Sequence, residues 1–241
     1  MKNLNWLPDK KWYEFAYHKF FNPEVKYEDW MPWDEWDYPE RDILRFSKII
    51  KDQSDHIKNS KVLDLACHLG YISLFCLHNN AKWVTGTNVR DFELSIAKDI
   101  CTKSGYENFE FINSDLNDLT QLRELANTHD TIMLPGVLYH LNNHYQVLET
   151  LCNSKAKKII IESRVLPELE IDTPMVEWGF EENESTSGFY NNISKVCIGT
   201  PNTNWILQIL NFFDREVIYN QKISYKKPNG NIDHRVIITA V

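Results

Sequence analysis

The sequence predicts an α/β protein with a mostly parallel seven-stranded sheet, helices on both faces and an antiparallel hairpin at its C-terminal end. Between residues 41 and 163, short apolar runs alternate five times with segments of helical spacing, as in β–α units of a parallel sheet. Two strand-like segments then flank the pair Asn229 and Gly230, a strong signal for a two-residue hairpin turn. A chain of 241 residues favours one domain with additions.

The spacing of apolar residues and the positions of turn residues predict the individual strands and helices. We expect Asp91 and Asp118 to cap the helices that they begin. Ligands in open α/β sheets bind beyond the carboxyl ends of the strands. The predicted strands are 61–67, 82–89, 109–115, 129–137, 157–163, 215–225 and 234–241, and the predicted helices are 42–57, 71–79, 91–106, 118–125, 143–154 and 203–213.

Two segments do not fit the alternating pattern. Residues 1–40 hold 12 of the 31 aromatic residues and five of the eight tryptophans, which predicts a cap packed on the core domain 41–241. Residues 167–200 are too long for an ordinary connection, which favours a lid-like insertion. Trp33 and Trp178 are the aromatic residues that we expect on the substrate side.

Composition narrows the classes of protein. The formal net charge of −8 argues against nucleic acid as a partner, because nucleic-acid binders usually carry a basic surface. The five cysteines show no paired spacing, so we expect buried thiols, and the histidines form no metal-binding pattern. No apolar run is long enough to span a membrane and residues 1–12 do not resemble a signal peptide, so we expect a cytoplasmic protein.

Four segments carry a resemblance to a known family. They are VLDLACHLGYIS (62–73), VTGTNVR (84–90), FINSDLND (111–118) and DTIMLPGVLYHL (130–141). With the terminal hairpin, they resemble the class I S-adenosylmethionine (SAM)-dependent methyltransferases, which have a Rossmann-like fold. The GVLYHL stretch (136–141) is similar to a subgroup that includes tRNA wobble-uridine carboxymethyl-transferring enzymes and several small-molecule methyltransferases.

The resemblance implies a loop that passes under the methionine part of SAM. The family pattern acidic-x-G-x-G-x-G aligns with Asp64, Ala66, His68 and Gly70, and only the last glycine is kept. Asp64 is then expected to accept from the SAM ammonium, and the backbone of Ala66, Cys67 and His68 to pack against the ligand. Gly70 is expected to let the following helix approach.

The resemblance also assigns the nucleoside contacts. The family usually has an acid where this chain has Asn88, followed by Val89, and the Asn88 amide is expected to bond the ribose hydroxyls. A loop-capping role for Asn88 is the alternative. Asp115 and the Leu116 amide are expected to bind adenine, with Asp118 as a rival. Residues 134–137, including Pro135, are expected to border the methyl sulfonium.

On the acceptor side, His140 is the candidate base, because its unperturbed pKa is near neutrality. The alternative is that His140 only orients its surroundings. Tyr139 follows the same loop, and Glu162 and Arg164 at the end of the fifth strand are expected to face the cleft. Arg164 either holds an acidic substrate group or forms a surface ion pair.

The expected function is SAM-dependent O- or N-methylation of a small molecule, giving S-adenosylhomocysteine (SAH). One alternative is a tRNA wobble-base modifier, whose carboxylated SAM needs basic groups that the sequence does not identify. Another is a SAM-binding protein with altered or lost activity. A domain of the NAD-binding type is disfavoured by the missing G-x-G-x-x-G and by the terminal hairpin.

Overall fold

The computed structural model describes residues 45, 47–167, 173–182, 195–226 and 230–241. The remaining residues, which include the expected cap 1–40 with Trp33, lie outside the described part. The strands there are β1 (Lys61–Asp64), β2 (Trp83–Asn88), β3 (Phe109–Asn113), β4 (Thr131–Pro135), β5 (Lys158–Arg164), β6 (Val176–Glu182), β7 (Lys195–Pro201), β8 (Val217–Lys226) and β9 (Ile232–Ala240).

Seven strands form one sheet in the order β3-β2-β1-β4-β5-β9-β8. The first five are parallel, and β9 runs antiparallel to both β5 and β8. This confirms the predicted fold. Because the first five strands are parallel, their carboxyl ends lie at one edge of the sheet. The strand order reverses between β1 and β4, and open sheets bind ligands at such a point.

Helices cover both faces of the sheet. Neighbouring residues of each central strand point to opposite faces, so Leu63 packs in one apolar layer and Val62 in the other. Burial of side chains of this size contributes about 1.5–3 kcal/mol each. The helices are α1 (Ser54–Ile57), α2 (Tyr71–His78), α3 (Asp91–Lys103), α4 (Leu119–Ala126), α5 (His144–Cys152) and α6 (Thr203–Phe212), with a π-helical turn Ser47–Lys51 and a 3-10 turn Leu138–His140.

Two helix predictions need correction. The helix predicted over 42–57 is divided in its described part, because Gln53 leaves helical geometry and its buried amide oxygen accepts from Thr239 Oγ1 at 2.7 Å. Asp91 does not cap α3: Arg90 occupies the cap position, and Asp91 Oδ1 accepts from Asn113 Nδ2 at 2.6 Å. Asp118 does cap α4, accepting from the Thr120 and Gln121 amides.

The insertion 167–200 contains a β-hairpin, β6–β7, which the sequence analysis did not predict. It is fastened to the segment that follows β4. The Gly199 amide donates to the Leu141 carbonyl at 3.0 Å, and the Trp178 ring stacks on His144 with 5.6 Å between centroids. A Cβ on Gly199 would lie 2.6 Å from His144 Cε1, so only glycine permits this approach.

Candidate active site

A cleft opens at the carboxyl ends of β1, β2, β3 and β4. Residues predicted from four separate segments meet there. The lining consists of Ala66, Asn88, Val89, Ser114, Asp115, Leu116, Asn117, Val137, His140, Leu141, Asn142, Val196 and Cys197.

The loop between β1 and α2 keeps the backbone of a glycine-rich turn without its glycines. Ala66 and His68 have φ of 54° and 52°, and Gly70 has φ of 77°. The left-handed region costs about 1–2 kcal/mol for a residue with a Cβ. A Cβ on Gly70 would lie 2.6 Å from the Ala97 Cβ in α3, so Gly70 permits the approach of α3 and not, as predicted, of the following helix α2. The Cys67 thiol is buried, its amide donates to the Thr87 carbonyl, and its carbonyl accepts from the Gly70 amide.

Asp64 ends β1 and is completely buried. Its Oδ2 accepts from Ser73 Oγ at 2.6 Å. Its Oδ1 has no hydrogen-bond partner among the described residues. Burial raises the pKa of Asp64 to about 7, although the bonds from Ser73 oppose this rise. The end of β1 therefore presents a buried acceptor with unused capacity.

Asn88 ends β2 and already holds two partners. Its Oδ1 accepts from the Val89 amide at 2.8 Å. Its Nδ2 donates to Glu93 Oε2 in the first turn of α3. One amide hydrogen and one oxygen lone pair of Asn88 remain beyond these two bonds.

Asp115 and Leu116 follow β3. Asp115 Oδ1 accepts from the backbone amide and the side chain of Asn117, both at 2.9 Å. The Leu116 side chain is buried, and no described residue accepts from its backbone amide. Asp118 is committed to capping α4, so of the two rival acids only Asp115 lines the cleft.

His140 lines the cleft and pairs with the inserted hairpin. Its Nδ1 lies 2.7 Å from Oε2 of Glu181 in β6. Burial would lower the pKa of His140, but Tyr139 and Glu181 outweigh that effect and raise it. A histidine held at Nδ1 by a carboxylate has its Nε2 left for proton transfer.

Tyr139 lies among arginines. The guanidinium carbons of Arg164 and Arg235 lie 4.8 Å and 5.2 Å from the centre of its ring. Burial would raise the pKa of Tyr139, but the charges of Arg235, His140, Arg164 and Arg45 outweigh it and lower the pKa to about 7. This environment favours negative charge on or beside the Tyr139 hydroxyl.

Glu162 does not face the cleft as predicted. It is completely buried, and it binds Arg235 and, at 2.8 Å, Arg45 Nη2. These charges lower its pKa to about 2 against the opposing effect of burial, which identifies a structural ion pair. Arg164 Nε donates to Asp233 at 3.1 Å, and its side chain is 37% exposed, so it keeps access to solvent.

Eight predicted residues are not part of the cleft lining: Asp64, Cys67, His68, Gly70, Pro135, Tyr139, Arg164 and Trp178. Pro135 ends β4 beside the cleft residue Val137 but does not itself line it. Trp178 lies on the hairpin with 55% of its surface exposed.

Residues 56–225 match the family described as a methyltransferase domain, which is more than half of the chain. The chain belongs to this family. With the seven-stranded sheet, it is a class I SAM-dependent methyltransferase, and its methyl donor is SAM.

Solved structures of low identity share the fold of this methyltransferase. The N-terminal domain of EvdMO1, with SAH and D-fucose, is 14% identical over 98% of this chain and 97% of that domain, with a TM-score of 0.63. A putative RNA methyltransferase from Pyrococcus horikoshii is 11% identical over 82% of this chain and 84% of the other, with a TM-score of 0.57. A SAM-dependent methyltransferase from Mesorhizobium loti is 10% identical over 77% and 93%, with a TM-score of 0.56. No curated protein matches the chain.

Three charged residues of the methyltransferase site were not identified from sequence. Glu93 and Arg235 lie in regular elements where nothing in their neighbours marks a buried charge. Glu181 had a usable signal, because VEWGFEE alternates apolar and other residues with the period of a strand. That alternation predicts a strand, but it does not predict that Glu181 contacts His140.

Proposed function

We propose that this enzyme methylates a small molecule on oxygen or nitrogen, with the donor held along β1, β2 and β3 and the acceptor beside His140 and Tyr139. The main support is that Ala66, Asn88, Asp115 and His140 line one cleft in a chain of the methyltransferase family. The net charge of −8 supports a small acceptor over a nucleic acid.

The chemistry of the cleft fits SAM. Asp64 Oδ1 suits the ammonium group of the ligand, because no described residue donates a hydrogen bond to this oxygen. The loop Ala66, Cys67 and His68, in which Ala66 and His68 have left-handed backbone, suits the methionine part. In this proposal Asn88, beside Val89, binds the ribose, while Asp115 and the Leu116 amide bind adenine.

His140 acts as the base in the proposed reaction. SAM supplies a methyl group already activated by its sulfonium. His140 Nε2 takes the proton of the acceptor O–H or N–H as the acceptor atom bonds the methyl carbon, and the carbon–sulfur bond breaks to leave SAH. Glu181 holds Nδ1 and stabilises the imidazolium that forms.

The acceptor carries a negative group in this proposal. Arg164 is partly exposed beside Tyr139, and its fork of donors suits a carboxylate or phosphate. Val137, with Pro135 beside it, borders the transferred methyl in this proposal, and the hairpin that carries Trp178 closes the acceptor side. Small hydroxylated acids are the first acceptors to assay, and neutral sugars join them because the structure of the EvdMO1 domain was determined in the presence of SAH and D-fucose.

Titration calorimetry with SAM and SAH tests the donor site. We expect wild type to bind both and Asp64→Ala to lose at least tenfold in affinity, with Asp99→Asn on the outer face of α3 as the control. Release of SAH in the presence of candidate acceptors then tests transfer. Binding without turnover on any acceptor would favour the alternative of a SAM-binding protein with altered activity.

A second candidate is the tRNA wobble-base transferase. It is favoured by Arg164, a partly exposed basic group beside Tyr139 of the kind that a carboxylated SAM requires, whereas Arg45 and Arg235 bind the buried Glu162. Preference for carboxylated SAM over SAM in the same titration, lost in Arg164→Gln, would select this candidate. Equal or weaker binding of the carboxylated donor would exclude it.

A further inference from the structure

Strand β2 ends in an amide residue, Asn88, but the Glu93 side chain brings a carboxylate to the same place. Glu93, in the first turn of α3, places Oε2 against Asn88 Nδ2. The Glu93 side chain is only 9% exposed. Because an amide NH₂ donates and a carboxylate accepts, this contact fixes which way the Asn88 amide points.

The orientation is fixed from both sides. Asn88 Oδ1 accepts from the Val89 amide at 2.8 Å, so a flipped amide would lose both bonds. A flip would also place Oδ1 against the Glu93 carboxylate. The Asn88 amide, held in this orientation, lines the cleft and has one N–H donor and one oxygen lone pair left. One donor and one acceptor can bind two neighbouring hydroxyl groups.

The buried charge of Glu93 is balanced by neighbours. Arg90 Nη1 lies 2.7 Å from Glu93 Oε1, and His68 Nε2 lies 3.6 Å from the same atom. His68 and Asn88, two departures from the family pattern, therefore meet at one carboxylate. Donation to a charged acceptor also polarises the Asn88 amide, which strengthens its oxygen as an acceptor.

We infer that Glu93 is a positioning residue for the donor: it takes over the charge of the missing strand-end acid and holds Asn88 to bind the cis-diol of a ribose. This inference rests on the proposed binding of SAM in the cleft. It gives the site selectivity for a nucleoside with both hydroxyls free, because a 2′-phosphate would bring a second negative charge toward Glu93.

An exchange of the two side chains tests the inference, with SAH as the probe in titration calorimetry. Asn88→Asp restores the family acid but sets it against Glu93. We expect it to weaken SAH binding at least tenfold, because a second carboxyl group beside Glu93 is repelled by it and no longer offers the N–H donor that holds the side chain in place. The double variant Asn88→Asp/Glu93→Gln moves the charge back to the strand and is expected to bind SAH within about threefold of wild type.

Ribose analogues separate positioning from a general structural role. Glu93→Ala is expected to lose about tenfold in affinity for SAH and much less for 2′-deoxy and 3′-deoxy SAH, because only the hydroxyl contacts depend on Asn88. A structural defect would weaken all three ligands equally. Thermal unfolding of each variant, with Asp99→Asn as the matched control on α3, shows whether the fold is intact.

The outcomes distinguish the two levels of proposal. If wild type does not bind SAH, the proposed function and this inference both fail. If wild type binds SAH but Asn88→Asp binds it equally well, or if Glu93→Ala weakens all three ligands equally, only the inference is overturned.

Discussion

His140 Nδ1 and Glu181 Oε2 lie 2.7 Å apart, and this contact joins the loop after β4 to the inserted β6–β7 hairpin. The insertion therefore does more than cover the cleft, because it supplies the carboxylate that sets the protonation of the candidate base. Val196 and Cys197 of the same hairpin line the cleft beside His140. The catalytic proposal depends on this hairpin being in place.

Glu181→Gln is expected to lower the pKa of His140. Burial already favours the neutral ring, and the variant removes a charge that favours the imidazolium. The midpoint of the His140 titration should therefore move to lower pH, which nuclear magnetic resonance of the ring nitrogens measures without any substrate. The same spectra report whether the proton of the neutral ring sits on Nδ1.

Activity gives the second measurement on this pair. Removing a general base typically costs about 10²–10⁴ in rate, so His140→Asn should lose turnover while SAH affinity stays near that of wild type. Glu177→Gln, exposed on the same strand, is the control for Glu181→Gln. An unchanged His140 titration in Glu181→Gln would show that the carboxylate only fastens the hairpin.

Asp64 is expected to release a proton when the donor binds. Its pKa is about 7 in the free protein, so at pH 6 the carboxyl is mostly protonated. A ligand ammonium beside it favours the charged form, and the pKa falls on binding. Proton release is then largest near pH 6 and vanishes well above pH 7.

Calorimetry in buffers of different ionisation enthalpy measures this release. The apparent binding enthalpy of SAH should depend on the buffer at pH 6 and not at pH 9. Asp64→Asn keeps the shape of the side chain and should remove the dependence. A dependence that persists in this variant would assign the proton to another group, such as His140.

Tyr139 is expected to titrate near neutrality, unlike an ordinary tyrosine. Burial opposes its ionisation, but Arg235, His140 and Arg164 favour the phenolate and bring the pKa to about 7. The ultraviolet absorbance of tyrosinate should show one such group in wild type and none in Tyr139→Phe. Arg164→Gln should raise this pKa by removing one positive charge, whereas Lys222→Gln, on β8, should leave it unchanged.

The sheet could be predicted from the sequence for a physical reason. Buried parallel strands such as KIIIES and the caps of helices such as Asp118 depend on neighbours in sequence, so local pattern reveals them. The partners of Asn88 and His140 depend on tertiary contacts. Glu181 is 41 residues from His140, and Arg235 is 73 residues from Glu162, so spacing carries no sign of either pair.

The loop after β1 offers a stability prediction. Ala66 adopts φ of 54°, where a Cβ costs about 1–2 kcal/mol, while glycine loses about 0.5–1 kcal/mol through the entropy of the unfolded chain. Ala66→Gly should therefore stabilise the fold by up to about 1 kcal/mol, measured by denaturant unfolding. Ala126→Gly in α4 is the control, where the same change should destabilise.

Gly70→Ala is expected to act in the opposite direction from Ala66→Gly. Gly70 has φ of 77°, and an added Cβ would meet the Ala97 Cβ at 2.6 Å, so the variant combines backbone strain with a clash against α3. We expect a loss of about 2–4 kcal/mol in the free energy of unfolding, since overpacking adds about 1–3 kcal/mol to the strain. Ala97→Gly in the Gly70→Ala background removes the clash but leaves the strain. Glycine in a helix itself costs roughly 1 kcal/mol. We expect the double variant to recover part of the lost stability once this cost is subtracted. No recovery at all would mean that the left-handed backbone alone, and not the approach of α3, requires glycine at this position.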